Sequence, residues 1–262
     1  MELGLRDKSA LVTGASSGLG LAAAKILFAE GARVAICSRD KERITKAAAS
    51  ISTDAGRVLP LVCDLSKREE IESLITRVQH AFGQTDIIVT NCGGPPVGRH
   101  DTIGEDQLAL GYNLTFMSAI RLIQTVLPGM KARKFGRIIL STSMAAKQPV
   151  DNLLLSNTYR AGLLGYAKTL SREVGRYGIT VNTVLPGYTR TERLDYLAEQ
   201  ISANSGQSKA DVFAGWENLT ALGRLGEPDE LASLIAFLAS ERAGYITGTA
   251  IAVDGGQTAG IL

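Results

Sequence analysis

The strongest constraint on the fold is a regular alternation between short apolar runs and longer segments with helical periodicity. The apolar runs have strand length and cover residues 10–12, 33–37, 58–63, 87–90, 138–141, 180–185 and 250–253. The helix-length segments cover residues 19–30, 41–52, 67–82, 105–132, 152–177 and 228–240. Because each helical segment is long enough for a right-handed crossover, the pattern predicts an α/β fold. We expect one doubly wound parallel sheet of about seven strands, with helices on both faces.

Length and composition favour a single domain. The chain has 262 residues, of which 45% are apolar, so it can bury a substantial core. No internal linker or repeat divides it, and we expect one domain over residues 1–262. The exception is the polar segment 188–222, which follows Pro186-Gly187 and holds the single tryptophan, Trp216. This segment predicts a mobile lid over the ligand site, and a peripheral helical insertion is the alternative.

Charge and residue usage argue against several classes of partner. The net charge of +2 is spread along the chain, which gives no support for nucleic-acid binding. No apolar stretch approaches the roughly 20 residues of a membrane span, so we expect a soluble cytoplasmic protein with a small-molecule ligand. Three cysteines without CxxC spacing and two histidines favour neither a disulfide framework nor a metal site, and we predict no metal.

A glycine-rich turn lies between the first apolar run and the first helical segment. In the stretch from Thr13 to Gly20, glycines occupy positions 14, 18 and 20. Glycines at such positions permit a tight turn, close approach to a pyrophosphate and close packing of the following helix on the strand. The turn therefore predicts a nucleotide-binding site at a helix N-terminus, with a tight turn that binds no ligand as the alternative.

Several separate motifs resemble those of the short-chain dehydrogenase/reductase family, from about residue 5 to residue 256. Asp64 follows the third apolar run, although it is also placed to cap a helix. Residues 86–93 resemble the family pattern D-x-x-V-N-N-A-G, with Thr90 and Cys92 at two substituted positions. The end of the chain, at 246–248 and 253–256, resembles the family's C-terminal signature.

The resemblance implies a Rossmann fold that binds NAD(P), and it assigns residues to the cofactor. Those residues are Gly14, Ser16, Ser17, Gly18, Leu19, Gly20, Ser38, Arg39, Asp64, Leu65, Asn91, Gly93, Arg160, Pro186, Gly187 and Thr191. At the end of the second apolar run, a guanidinium beside a hydroxyl suits a ribose 2′-phosphate. The pair Ser38-Arg39 therefore favours NADP(H), and NAD(H) stays possible because Arg39 is alternatively an ordinary solvated residue.

The family's catalytic pattern is altered in this chain. The family has a serine, a tyrosine thirteen residues later and a lysine four residues beyond that. Ser143 fits the serine, but Ser156 and Arg160 occupy the positions of the tyrosine and the lysine. Asn113 falls where the family has its active-site asparagine. Tyr159 is one candidate for a substitute proton donor, with a core aromatic residue as the alternative. The loop residues Lys147 and Asp151 are other candidates, with ordinary solvated loop charges as the alternative.

This alteration leaves two functions open. A serine hydroxyl is a poor acid, and a guanidinium stays protonated, so neither replaces the tyrosine and lysine in proton transfer. The first hypothesis is an NADP(H)-dependent oxidoreductase with an atypical active site, which interconverts a carbonyl and an alcohol and is most similar to 3-oxoacyl-carrier-protein reductases. The alternative is a non-catalytic NADP(H)-binding protein that acts as a sensor or assembly partner. The resemblance also implies a homo-oligomer, as a tetramer formed through the helices at 105–132 and 152–177 and the last strand.

Overall fold

The computed structural model describes residues 2–54 and 56–261, and a sheet of seven parallel strands lies at its centre. The strands are β1 (Ser9–Thr13), β2 (Arg33–Ser38), β3 (Val58–Val62), β4 (Ile87–Thr90), β5 (Gly136–Ser141), β6 (Ile179–Pro186) and β7 (Ala250–Val253). Their order is β3-β2-β1-β4-β5-β6-β7. The predicted doubly wound α/β fold is confirmed, and every predicted strand is present. Of the predicted domain, residues 1, 55 and 262 lie outside the described residues.

Helices cover both faces of the sheet. They are α1 (Gly18–Ala29), α2 (Lys41–Ile51), α3 (Arg68–Phe82), α4 (Glu105–Gly111), α5 (Ser118–Arg133), α6 (Leu154–Val174), α7 (Glu192–Ser205), α8 (Lys209–Asn218) and α9 (Pro228–Ala239). Helices α3, α5 and α6 bury apolar side chains against one face of the sheet. Helices α1, α2 and α9 do the same on the other face. The strands read as continuous apolar runs because both of their faces are covered in this way.

The chain reverses its direction of travel across the sheet between β1 and β4. These strands are neighbours, with Ala10 paired to Ile87 and Val12 to Val89. From β1 the first crossovers lead to β2 and β3 on one side, and the later ones lead to β5, β6 and β7 on the other. In open α/β sheets such a switch point leaves a crevice beyond the carboxyl ends of the strands, where ligands bind.

The predicted helix at 105–132 is interrupted, so that prediction is wrong in its continuity. Helix α4 passes into a π-helical turn, Tyr112–Met117, before α5 begins at Ser118. Such turns are common at functional sites. Just before the turn, a Cβ on Gly111 would lie 3.0 Å from Leu155 Cδ1 and 3.1 Å from Tyr159 Cε2. The missing side chain therefore lets α4 pack closely on α6.

The predicted helix at 152–177 is shorter in the structure. Asn152 has a φ of 61°, a left-handed conformation that keeps it out of the helix, and α6 begins at Leu154. At the other end a 3₁₀ turn, Gly175–Tyr177, leads to Gly178 with a φ of 71°. Left-handed residues commonly end helices in this manner.

The segment 188–222 contains two helices, α7 and α8, with a small apolar cluster of their own. Trp216 stacks on Tyr188 at 5.0 Å between ring centroids and meets Phe213 edge to face at 5.5 Å. Leu194 and Ala198 from α7 pack into the same cluster. The secondary structure of the segment is therefore that of a helical insertion.

Candidate functional site

The glycine turn brings β1 and α1 into close contact at the switch point. Gly14 and Gly18 have φ values of 58° and 56°, in the left-handed region that favours glycine. A Cβ on Gly20 would lie 2.5 Å from the carbonyl oxygen of Gly14. The turn and the helix can therefore approach each other only because position 20 has no side chain.

The N-terminus of α1 is suited to an anion. Within the described residues no side chain caps this helix, and its first turn has no acidic residue. The N-terminal N–H groups of a helix and its dipole attract negative charge. The N-cap residue Ser17 and the residues that follow it therefore fit a pyrophosphate.

The end of β4 lies beside the same turn. The Thr13 hydroxyl donates to the carbonyl of Asn91 at 2.7 Å and accepts from the Asn91 backbone N–H at 2.9 Å. The side-chain amide of Asn91 donates to the carbonyl of Gly14 at 3.1 Å. A Cβ on Gly93 would meet no atom of the described chain within 4 Å, so this position faces open space beside the turn.

The residues predicted to contact the adenosine end lie at the ends of β2 and β3. Arg39 is exposed, and the Ser38 hydroxyl donates to the carbonyl of Asp40 at 3.0 Å. Asp64 accepts from the backbone and hydroxyl of Ser66, at 3.0 Å and 2.8 Å. Burial works to raise the pKa of Asp64, but these hydrogen bonds and the charges of Arg39 and Lys67 outweigh it, and the pKa is lowered. The adjacent Leu65 is buried in the core.

Arg43 was missed in the sequence and lies at the same end of the sheet. From α2 its guanidinium donates to the hydroxyl of Ser17 at 3.3 Å and forms an ion pair with Glu192. Arg43 follows Arg39 by four residues at the start of a helix. Arg39 precedes the N-cap residue Asp40, and Arg43 lies in the first turn of α2, so two arginines near the start of one helix were the available signal.

The segment after β6 returns to the glycine turn. A Cβ on Gly187, which follows Pro186 at the end of β6, would lie 2.7 Å from Cα of Asp254, so this glycine is required by close packing. Thr191 is the N-cap of α7, and its hydroxyl accepts from the N–H of Leu194 at 3.3 Å. Its methyl group lies 3.2 Å from where a Cβ on Gly18 would be. The start of α7 therefore lies against the glycine turn.

Ser143 and the pair Ser156–Arg160 lie around the end of β5. Ser143 caps a single 3₁₀ turn, Met144–Ala146, and its hydroxyl accepts from the N–H of Ala145 at 3.1 Å. Ser156 and Arg160 on α6 are 8% and 7% exposed. Arg160 Nε donates to Ser156 Oγ at 3.2 Å, and Nη1 donates to the carbonyl of Thr142 at 2.8 Å. The guanidinium thus ties α6 to the residue before Ser143.

A small cavity lies beside Arg160, beneath the ends of β4 and β5. Its lining includes Cys92, Thr115 and Ser141. The hydroxyls of Thr115 and Ser141 are buried and have no hydrogen-bond partner among the described residues. Burial raises the pKa of the Cys92 thiol above its ordinary value, although the charge of the nearby Arg160 guanidinium acts in the opposite direction. The arginine therefore lies beside a cavity that combines unpartnered hydroxyls with apolar side chains such as Leu122 and Leu163.

Asn113 and Tyr159 face other partners. Asn113 lies in the π-helical turn, where its amide donates to the carbonyl of Ala109 at 3.0 Å and its oxygen accepts from Arg121 at 3.0 Å. The Tyr159 hydroxyl donates to the carbonyl of Leu108 in α4 at 3.1 Å. Neither side chain is hydrogen-bonded to Ser143, Ser156 or Arg160 within residues 2–54 and 56–261. The catalytic roles of these two residues stay predictions.

Comparison with known proteins gives relatives over nearly the whole chain. The family model for enoyl-(acyl carrier protein) reductase matches residues 14–258. The 3-oxoacyl-(acyl-carrier-protein) reductase FabG of Vibrio cholerae is 35% identical over 256 residues, which cover 97% of this chain and 99% of that protein. The short-chain reductase protein NovJ of Streptomyces niveus is 31% identical over 255 residues, covering 96% of this chain and 94% of NovJ.

A solved structure is similar over its full length. The L-sorbose reductase of Gluconobacter frateurii, complexed with NADPH and L-sorbose, superposes with a TM-score of 0.94 at 33% identity and covers 100% of both chains. No helix in the described part of the chain is long and apolar enough to span a bilayer. From the match of the family model and the extent of these similarities, the chain belongs to the short-chain dehydrogenase/reductase family.

Proposed function

We propose that this protein is an NADP(H)-dependent oxidoreductase that interconverts a carbonyl and an alcohol at an atypical active site. The observation that carries the proposal is the glycine turn, with its uncapped helix N-terminus beside Asn91 and Gly93. The NADPH in the similar L-sorbose reductase supports the choice of cofactor. Bound NADPH would supply the hydride.

The cofactor would be held by residues at the carboxyl ends of four strands. The N-terminus of α1 would hold the pyrophosphate, and Arg39 with Ser38 would hold the ribose 2′-phosphate. The Asp64 carboxylate would contact the adenine, and the segment from Gly187 to Thr191 would cover the nicotinamide side. In this arrangement the chain's own contribution is to bind the dinucleotide and fix its orientation.

The proton donor is the atypical part of the proposed site. The Ser156 hydroxyl accepts from Arg160 and is buried, and a serine hydroxyl is a poor acid near neutrality. Among the described residues the Ser143 hydroxyl accepts a hydrogen bond and donates none, so its proton is available to a substrate. We propose that Ser143 orients the substrate carbonyl and that a second group supplies the proton.

Lys147 is the group that we assign to this second role. It follows the 3₁₀ turn capped by Ser143, and its side chain is exposed and has no ion pair within the described residues. The loop is held in place, because the Asn157 side chain bonds both the N–H and the carbonyl of Val150, at 3.2 Å and 2.9 Å. An alkylammonium group carries a transferable proton, as a phenol does, so one can stand in for the other as a general acid.

The helical segment 188–222 is proposed to cover the substrate. Its first helix begins against the glycine turn, through Thr191 and Gly18, and its apolar cluster is built around Trp216. Such a segment can exclude water from the reacting groups. The proposed substrate is a small carbonyl or alcohol compound.

The direct test is an NADPH titration followed by measurement of its oxidation. Binding is measured from the fluorescence of NADPH, and turnover is then measured with ketones, aldehydes and 3-oxoacyl thioesters. We expect tight binding and slow, measurable oxidation with at least one class of carbonyl. Failure to bind NADPH would contradict the proposal.

A non-catalytic NADP(H)-binding protein is the second candidate. The observation that favours it is the buried Ser156–Arg160 pair, which offers neither a phenol nor an amine at the place where the family has them. Tight NADPH binding without oxidation across the panel, and without a gain after Ser156→Tyr and Arg160→Lys are combined, would favour this function.

A further inference from the structure

Arg43 connects the glycine turn to the helical segment 188–222. Its guanidinium donates to the hydroxyl of Ser17, the N-cap of α1, at 3.3 Å. The same Nη2 atom forms an ion pair with Glu192, the first residue of α7. The two partners are separated along the chain, and one side chain joins them.

The surroundings of Arg43 are suited to a phosphate monoester. Arg39 lies four residues earlier and is exposed, and it is close enough to Asp64 to lower that carboxyl group's pKa. Arg39 and Arg43 thus both lie on the segment that follows β2, and Arg43 reaches the glycine turn through Ser17. A guanidinium offers a planar set of donors that binds phosphate oxygens in pairs, and a dianion is a stronger acceptor than a single carboxylate.

The ion pair between Arg43 and Glu192 is one in which another anion can readily replace the carboxylate. The two side chains are 52% and 68% exposed, and exposed pairs contribute little to stability because water and salt screen them. A phosphate bound between Arg39 and Arg43 would therefore displace the Glu192 carboxylate.

We propose that Arg43 is a second binding residue for the cofactor's 2′-phosphate, and that this phosphate competes with Glu192 for it and so couples cofactor binding to α7. The inference rests on the proposed function. It adds that Glu192 opposes binding of the phosphorylated cofactor and that a cofactor without the 2′-phosphate leaves the ion pair intact. Binding of NADP(H), but not of NAD(H), would thereby release the start of the segment 188–222 from Arg43.

The first test compares NADPH and NADH dissociation constants for wild type, Arg43→Gln, Glu192→Gln and the double variant. We expect Arg43→Gln to weaken NADPH binding about 10- to 100-fold and NADH binding less than about twofold, because only the former loses a charge-assisted bond. Glu192→Gln should strengthen NADPH binding about threefold by removing the competing carboxylate. The double variant should match Arg43→Gln, since Glu192 acts through Arg43.

Glu42→Gln is the matched control, because Glu42 is an exposed acid next to Arg43 on α2 without a hydrogen bond or ion pair in the described structure. An equal NADPH gain for Glu42→Gln and Glu192→Gln would overturn the competition. An unchanged ratio of NADPH to NADH affinity in Arg43→Gln would overturn the role of Arg43. Wild-type protein that binds neither dinucleotide would instead contradict the proposed function. Melting temperatures of all variants show whether each one is folded.

The coupling has its own readout in Trp216, the single tryptophan, which lies in the cluster between α7 and α8. We use adenosine 2′,5′-bisphosphate and AMP, which differ in the 2′-phosphate and lack the nicotinamide. The bisphosphate should change Trp216 emission, AMP should not, and Arg43→Gln should abolish the change. The same response to both compounds, or a bisphosphate response that survives in Arg43→Gln, would overturn the coupling.

Discussion

Arg160 donates from Nε to the hydroxyl of Ser156, one helical turn earlier on α6, over 3.2 Å. Both side chains are nearly inaccessible, and the guanidinium is also fixed by the carbonyl of Thr142. The pair is therefore a rigid structural connection between α6 and the end of β5. Its protons are poorly suited to transfer, since neither group is a useful acid near neutrality.

Combining Ser156→Tyr with Arg160→Lys should raise turnover if the site accepts a carbonyl. The phenol becomes an acid with an adjacent ammonium, and a general acid typically accelerates such a step by about 10² to 10⁴. We expect kcat to rise by at least about tenfold. The measurement is NADPH oxidation at saturating substrate, with Arg160→Lys alone as the control. A double variant that binds NADPH normally and shows no gain would indicate that the acid lies elsewhere.

Arg39→Asp should reverse part of the cofactor preference. An acidic side chain at this position repels a 2′-phosphate and can accept from a 2′-hydroxyl. We expect NADPH affinity to fall by about 10- to 100-fold, while NADH affinity changes little. Fluorescence titration with both dinucleotides checks this. Equal losses for NADPH and NADH would contradict the assignment of Arg39 to the phosphate.

Lys147→Met should lower kcat by about 10²- to 10⁴-fold if the ammonium is the proton donor. Tyr159→Phe is the matched control, because the Tyr159 hydroxyl is bonded to the carbonyl of Leu108 and its loss should leave kcat nearly unchanged. NADPH affinity is measured for both variants to separate binding from chemistry. The opposite result, with kcat lost in Tyr159→Phe and kept in Lys147→Met, would assign the proton to Tyr159.

Gly20→Ala should destabilise the protein and abolish dinucleotide binding. The added Cβ would lie 2.5 Å from the Gly14 carbonyl oxygen, so the turn or the helix must shift. Overpacking of this kind typically costs about 1–3 kcal/mol. Gly165→Ala is the control, because a Cβ there meets no described atom within 4 Å, and an exposed helical alanine should instead stabilise by up to about 1 kcal/mol. Denaturant unfolding compares the two variants, and equal losses would contradict the packing argument.

Tyr166 should contribute to alkaline unfolding. Burial, assisted by the charge of Glu173, raises the pKa of Tyr166 to about 12 from an ordinary 10. The folded state therefore keeps the phenol proton at pH values where the unfolded chain has released it. Stability from this group is complete below pH 10 and is lost as the pH rises towards 12. Urea unfolding at pH 9, 10 and 11 should show a shallower decline for Tyr166→Phe than for wild type, and parallel declines would contradict the shift.

The sheet could be predicted from the sequence because parallel strands buried on both faces appear as apolar runs, as in β1 and β4. The glycine turn was predictable for a similar reason, since positions 14, 18 and 20 have local backbone requirements. The interruption at Tyr112–Met117 was not predictable, because no proline or glycine within these six residues marks a break in the helix.

Contacts between distant segments could not be predicted from the sequence. The pair Arg43–Glu192 joins residues that are 149 positions apart, and no local pattern specifies such a partner. The helices α7 and α8 could have been found, because Thr191 caps the first and Ser208 with Asp211 forms a capping box at the second. The polar character of 188–222 obscured these signals.

The reciprocal hydrogen bonds between Thr13 and Asn91 make the proposed dinucleotide site depend on both halves of the sheet. They connect positions 78 residues apart, at the border between the two halves of the sheet. A chain in which only β1, β2 and β3 have folded lacks β4 beside the glycine turn, so its dinucleotide site is incomplete. Ligand capture thus reports completed folding, and a dinucleotide that binds only the finished molecule would shift the folding equilibrium towards it by mass action.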